Sequence, residues 1–296
     1  MQTIVYFTTK FIKIVQGQYR NKRFIINHTV SSCVPDDSVV NGVILDSESL
    51  SRAVNLLKQK IKFVNTTVVI DSNRVVHKVS ILPKCTKKQM DFVVRNEFID
   101  KNTTSDTHIY DYSVILPNFG GKNNNLVLCC ALERSIISAY NDFFIDAEIK
   151  LSRIDVSVSS IINLSKIFKT KHQNKIICVV DDNVVNLLDI NQNGTVFSNR
   201  SRVIVDEDGN NYFTEVMEKI YSYVQFKKSA AREDTDSSIF IIDCNNDKSC
   251  YDSYKEVLEK NNFKATLYFG LKNSIENENA VDGINDTYAY NLGMLV

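Results

Sequence analysis

The stretch Lys175–Arg200, KIICVVDDNVVNLLDINQNGTVFSNR, constrains this chain more than any other. Ile176 to Val180 is an unbroken apolar, β-branched run, the pattern of a strand covered on both faces. Asp181-Asp182-Asn183 is turn chemistry, and Val184, Leu187, Leu188 and Ile190 carry a return strand. Asn193-Gly194 suits a two-residue type I′ turn, which needs positive φ twice. A three-stranded antiparallel meander is therefore predicted here, near the middle of the chain.

The N-terminal part repeats that plan. Residues 3–7 and 11–16 read as a hairpin turning at Thr8-Thr9-Lys10, and residues 22–34 as a third strand. Asp46 or Ser47 can N-cap a helix reaching about Ile61, with Leu50, Val54, Leu57 and Ile61 as its apolar stripe. Thr66–Ile70 follows as a strand. A block of α+β pattern comes next, with strands at 75–82, 107–116 and 126–132 and helices at 87–98 and 133–146. Tyr110, Tyr112, Phe143 and Phe144 read as the core of that block. A strand and helix occupy 151–168. Beyond the central meander come a strand at 202–205, a helix at 212–226, strands at 239–243 and 264–268 around a helix at 251–260, and a helical tail at 284–296. The fold class is α/β with two domains: residues 1–74 and 151–170 as one core, 75–150 as an inserted α+β subdomain, and 171–296 as a second core.

Composition narrows the chemistry. Lys plus Arg and Asp plus Glu number 35 each, so no net charge draws the chain to nucleic acid. Local basic groups such as Lys58, Lys60 and Lys62, or Lys227 and Lys228, read as solvated faces. The seven cysteines are odd in number, and Cys129, Cys130 and Cys178 sit in strand patterns, which suits free thiols in a reducing cytosol. There is no C-x-x-C pair, and His28, His77, His108 and His172 are scattered, so spacing supports neither a metal site nor a Cys–His nucleophile. No signal-peptide pattern and no apolar run of membrane-spanning length is read. Glycine occurs only 9 times, which leaves few places where backbone can crowd a phosphate.

Several segments in order resemble one family. Val39–Asp46 is similar to a "G-x-I-x-D" segment before a first helix. Val79–Pro83 followed by Arg95-Asn96-Glu97, Asp111–Ile115, Ile154-Asp155-Val156 and Tyr290–Leu295 are similar to further family segments in the same order. Together they resemble the PilM-type proteins of type IV pilus assembly, within the actin/FtsA-like family. The resemblance implies an actin-like, ribonuclease H-like two-domain fold with an inserted subdomain in the first half. The helical subdomain of the family's second half looks deleted, since Val205 reaches the helix at Tyr212 in a few residues.

Family members hold ATP on three loops, and this sequence departs from each. In the first, Tyr6 stands at the carboxylate position and Thr8 at the glycine, with Lys13 retained. In the second, Asp181 remains, Asp182 adds a carboxylate, and Asn183 replaces glycine, where its tolerance of positive φ would keep the turn's shape. In the third, Asp243-Cys244-Asn245 replaces a Gly-Gly loop. No catalytic set, cofactor or metal is expected. The resemblance implies a non-catalytic cytoplasmic scaffold, peripheral at the inner face of the membrane, that holds the short tail of a PilN-like bitopic membrane protein and links it to the pilus motor. Val43, Ile44, Leu82, Tyr140 and Phe144 are the expected groove residues. The rival readings are an ATP-binding actin-like ATPase and a GspL-like module of a type II secretion system. The apolar end at Met294-Leu295-Val296 suggests that the natural chain continues into a membrane segment, as in a fused PilM–PilN.

Overall fold

In the computed structural model the first strands pair as the hairpin predicts. The structure describes residues 1–99, 107–119, 121–169, 172, 174–191, 196–206, 208–209, 211–230, 237–245, 250–260, 266–275 and 285–296. The predicted Asn193-Gly194 turn lies outside the described residues. The chain divides into two compact units: residues 1–18, 25–162 and 290–296, and residues 19–24 and 163–289.

The first unit opens with β1 (Gln2–Phe7), β2 (Phe11–Arg20) and β3 (Arg23–Cys33). A short hairpin of β4 (Val39–Val40) and β5 (Val43–Ile44) leads to α1 (Ser47–Lys58) and β6 (Thr66–Ile70). Asp46 caps α1 by accepting from the Ser49 amide at 3.0 Å. Then come β7 (Val76–Pro83), α2 (Lys87–Asn96), β8 (His108–Pro117), β9 (Asn124–Glu133), α3 (Arg134–Asp146), β10 (Leu151–Val156) and α4 (Ser157–Ser165). β10, β6, β1, β2 and β3 form one sheet in that order, with β1 antiparallel to β2 and parallel to β6. β1 and β6, central and covered on both faces, are apolar or Thr throughout their paired length.

The inserted block is a separate three-stranded sheet, β7-β9-β8, with α2 on one face. Its core joins Leu82, Met90, Val94 and Phe98 to Val127, Cys129 and Ala131, with Tyr110 and Tyr112 against them. Phe143 and Phe144 do not belong to it, contrary to the sequence reading. The α3 stripe packs on the main sheet instead, where the Phe143 and Phe144 rings lie 5.8 and 6.3 Å from that of Phe7. A helical stripe specifies which residues are buried together, not which of two neighbouring sheets they cover.

The second unit contains β11 (Asn174–Asp181), β12 (Val184–Ile190), β13 (Val196–Arg202), α5 (Tyr212–Ala230), β14 (Ser237–Asp243), α6 (Cys250–Lys260), β15 (Thr266–Phe269) and α7 (Gly270–Ser274). Its sheet order is β13-β12-β11-β14-β15, antiparallel across the meander and parallel from β11 through β14 to β15. Read as β3-β2-β1-β6-β10, the first sheet has the same plan. No separate strand forms at 202–205: β13 ends at Arg202, and one further bond in the same register, from the Val203 amide to the Asn183 carbonyl at 2.8 Å, closes the pairing at the β11–β12 turn.

The tail corrects the expected domain boundary. A 3₁₀ turn (Asp286–Tyr288) leads into α8 (Ala289–Gly293), and residues 290–296 belong to the first unit, not to a second core spanning 171–296. The Asn291 Nδ2 donates to the carbonyls of Ile4 and Lys13, both at 2.9 Å. Ser160 Oγ donates to the Tyr290 carbonyl at 2.6 Å, and the Tyr290 ring packs 4.9 Å from Tyr6. A Cβ on Gly293 would sit 2.3 Å from the Ser160 backbone oxygen, so only glycine fits. Asn291→Asp keeps the side chain's size but turns its donor into an acceptor facing two carbonyls. It is expected to cost more than Asn291→Ala, which forfeits about 1–3 kcal/mol. Urea unfolding of the two variants checks the order.

Candidate functional site

Three strand ends carry the candidate loops. At the first, between β1 and β2, the turn is closed by its own side chain. Thr8 Oγ1 accepts from the amides of Lys10 at 3.0 Å and Phe11 at 2.9 Å. Two N–H groups that could face an anion are thereby satisfied within the turn. Tyr6 is cross-strand partner to Lys13, and both side chains are buried, at 3% and 1% exposure. The Lys13 Nζ lies 5.9 Å from the Tyr6 ring centroid, over its face.

The second and third loops lie side by side at the ends of β11 and β14. Asp182, in the β11–β12 turn, has φ +50°, so positive φ falls on the aspartate and not on Asn183 as the sequence reading expected. The Asp182 amide donates to Asn245 Oδ1 at 2.7 Å, and Asn245 Nδ2 donates back to the Asp182 carbonyl at 2.8 Å. One side-chain amide therefore occupies both polar groups of one turn residue. Asn245's own backbone N–H goes to Asp243 Oδ1 at 2.9 Å, and the Cys244 N–H to the Val180 carbonyl at 2.7 Å.

Asp243 is the buried anchor of this arrangement, at 0% exposure. Its Oδ2 accepts from the hydroxyls of Tyr212 at 3.0 Å and Tyr254 at 2.8 Å. Tyr251 accepts the Asp243 amide at 3.2 Å and donates to Asp286 Oδ2 at 2.7 Å. Burial, reinforced by the charges of Asp243 and Asp286, pushes the hydroxyls of Tyr212, Tyr251 and Tyr254 well above the usual tyrosine range. They stay neutral donors at any working pH. No cluster of three or more metal-ligand side chains occurs among the described residues.

The expected groove residues sit elsewhere than on a surface. Tyr140 and Phe144 are 0% and 1% exposed in the main core, and Tyr140 donates to the Gly42 carbonyl at 3.1 Å. Leu82 lies in the core of the insert, and Val43 and Ile44 are half-buried against the main core. Tyr140, Phe144 and Leu82 are enclosed and offer nothing for a partner to touch, while Val43 and Ile44 keep part of their surface exposed. An open cavity of about 270 Å³ lies instead on the face of the insert sheet opposite α2. Ile109 and Ser113 of β8, Leu128 and Cys130 of β9, and Ile154 and Asp155 of β10 line it. An Arg153–Asp155 ion pair marks its β10 side. Burial pushes the Cys130 thiol up, with Asp155 adding to it, so this cysteine is an inert wall and not a reactive one. The sequence signal was available: Leu126, Leu128 and Leu132 alternate with Val127, Cys129 and Ala131, which makes both faces of β9 apolar while α2 covers one.

No protein-family model matches the chain, and no curated protein sequence does. Solved structures do. A PilM-PilN type IV pilus biogenesis complex superposes with a TM-score of 0.75 at 11% identity, covering 99% of this chain and 97% of the other. A Bacteroides thetaiotaomicron protein with an actin-like ATPase fold and unknown function matches with a TM-score of 0.55 at 12% identity, over 99% of this chain and 95% of that one. With the twin sheets and their shared strand order, these likenesses establish that the chain has the actin-like fold.

The loop geometry yields a measurable expectation. Calorimetric titration with Mg-ATP should give no saturable heat, because the Asp182 and Asn245 amides are already taken and the surrounding side chains are carboxylates. Saturable micromolar binding would overturn that reading of the loops.

Proposed function

We propose that this protein is a non-catalytic scaffold of a type IV pilus assembly machine, holding the cytoplasmic tail of a PilN-like bitopic membrane protein and linking it to the pilus motor. The cavity between the insert sheet and β10 is the observation that carries the reading. Its lining is apolar at Ile109, Leu128 and Ile154 and charged at Asp111, Arg153 and Asp155. β8 and β10 are terminal strands of their sheets, so each presents backbone N–H and C=O groups along its outer edge. An extended segment can pair along such an edge and drop alternate side chains into a pocket. That mode of recognition needs no catalytic residue, which fits loops whose amides are internally bonded.

The likeness to a PilM-PilN complex supports the choice of partner. In this reading the protein works at the cytoplasmic face of the inner membrane, and the membrane partner supplies the span. Among the described residues no helix is long and apolar enough to cross a bilayer. The tail's groove is the cavity lined by β8, β9 and β10, in place of the core residues first expected.

A fluorescently labelled peptide of the PilN-type tail from the same organism tests this. Saturable binding is expected with Kd in roughly the micromolar range, about −8 kcal/mol. Ser113→Trp, which fills the cavity from a half-buried position, should weaken it at least about tenfold, or 1.4 kcal/mol, and leave the melting temperature unchanged. A tail peptide that does not bind, or that binds the tryptophan variant equally well, sinks the proposal.

A further inference from the structure

We infer that the outer face of α2 and the two turns beside it form an adsorption surface for an anionic lipid bilayer. The helix buries Met90 and Val94 against the insert sheet. Lys88, Phe92 and Arg95, spaced by 4 and 3 residues, make up the opposite stripe, Ile99 follows just past the helix end at Asn96, and all four are exposed. Phe92 is 67% and Ile99 69% exposed, so two large apolar side chains stand in water, Phe92 between Lys88 and Arg95 and Ile99 beyond Arg95.

The cationic surface continues past the helix. The β7–α2 connection and the β8–β9 turn lie against each other, because the Lys84 amide donates to the Asn123 carbonyl at 2.7 Å and Lys84 Nζ to Asn118. That contact brings Lys84, Lys87 and Lys88 together with Lys122, all exposed, from segments that contain no carboxylate between Pro83 and Met90 or between Pro117 and Asn125. Asp91 is the one exposed acid of the helix. Glu97, the other, faces β7, where Lys78 Nζ lies at 2.7 Å and Ser80 Oγ at 2.6 Å. The first turn of α2 carries Lys87 and Lys88 and no acidic residue, although the helix dipole disfavours cations there. In a chain of zero net charge this is a local concentration of like charge that folding itself does not reward.

The composition of the patch selects the partner. Protein interfaces are depleted in lysine at their centres and enriched in arginine. Here four lysines stand beside one arginine, and the Arg95 guanidinium already lies over the Tyr110 ring at 5.8 Å. Lysines on flexible stems around isolated Phe and Ile side chains suit phosphate headgroups above an acyl boundary. The tail cavity occupies the other face of the same sheet, so the two surfaces do not compete, and this inference stands without the tail.

Flotation of the full chain with vesicles tests it. The protein should float with phosphatidylcholine vesicles containing phosphatidylglycerol, stay behind with phosphatidylcholine alone, and be released by salt. Replacing Lys84, Lys87 and Lys88 together by Gln should weaken partitioning on the order of a hundredfold, roughly fivefold per lysine. Phe92→Ser with Ile99→Ser should weaken it too. All five positions are exposed, and unchanged melting temperatures would show that the variants fold. Failure to float with the anionic vesicles, equal flotation with both kinds, or flotation undiminished by the lysine replacements would overturn the inference.

Discussion

Backbone amides at strand ends must find acceptors, and in this chain the acceptors are its own side chains. Asn245 supplies them for the β11–β12 turn, and Thr8 does so for the β1–β2 turn. The consequence spreads inward. Asn245 is held by Asp243, Asp243 by the hydroxyls of Tyr212 and Tyr254, and these sit at the starts of α5 and within α6. One buried carboxylate therefore fixes the register between two helices and the turn they flank. A carboxylate with this many donors is stable where it is, and losing one donor would leave the buried charge with fewer partners.

Much of the fold was legible in the sequence because it is written in local patterns. The apolar run at Ile176–Val180 reads as a doubly covered strand and Thr66–Ile70 as a strand, and both are strands buried along their length. Asp46 announces its helix by capping chemistry. The shared strand order of the two sheets follows from the repeated meander. What stayed hidden depends on distant partners. Nothing near α3 says that Phe143 meets Phe7 instead of the insert, since both sheets present apolar faces. Nothing near Asn245 says that its amide closes a turn 63 residues away. The groove residues were misplaced for a related reason: apolar side chains such as Tyr140 and Leu82 mark where packing is densest, whereas an opening lies where an apolar strand face runs past its cover.

That excess is visible on β9. α2 covers Val127, Cys129 and Ala131, and on the other face Leu126, Leu128 and Leu132 are buried too, while Cys130 beside the cavity, with Ile109 and Ile154 opposite it, stays half-buried. An apolar face left partly covered in a folded chain costs about 25 cal/mol for each Å² that stays wet. Under the proposed function, a tail that covered the half-buried Ile109, Cys130 and Ile154 would recover that amount.

The segment Tyr290–Gly293 carries the last step. It was one of the features on which the family resemblance rested, and its positions prove architectural: Asn291 bonds to carbonyls of β1 and β2, and Gly293 admits the Ser160 backbone. Sequence features of this kind report the constraints of closing the first unit, which any chain with this strand order must meet. They persist whatever the loops at the strand ends do. The residues of the β8–β10 cavity and of the outer stripe of α2 take no part in that closure, so the frame that presents them does not depend on them.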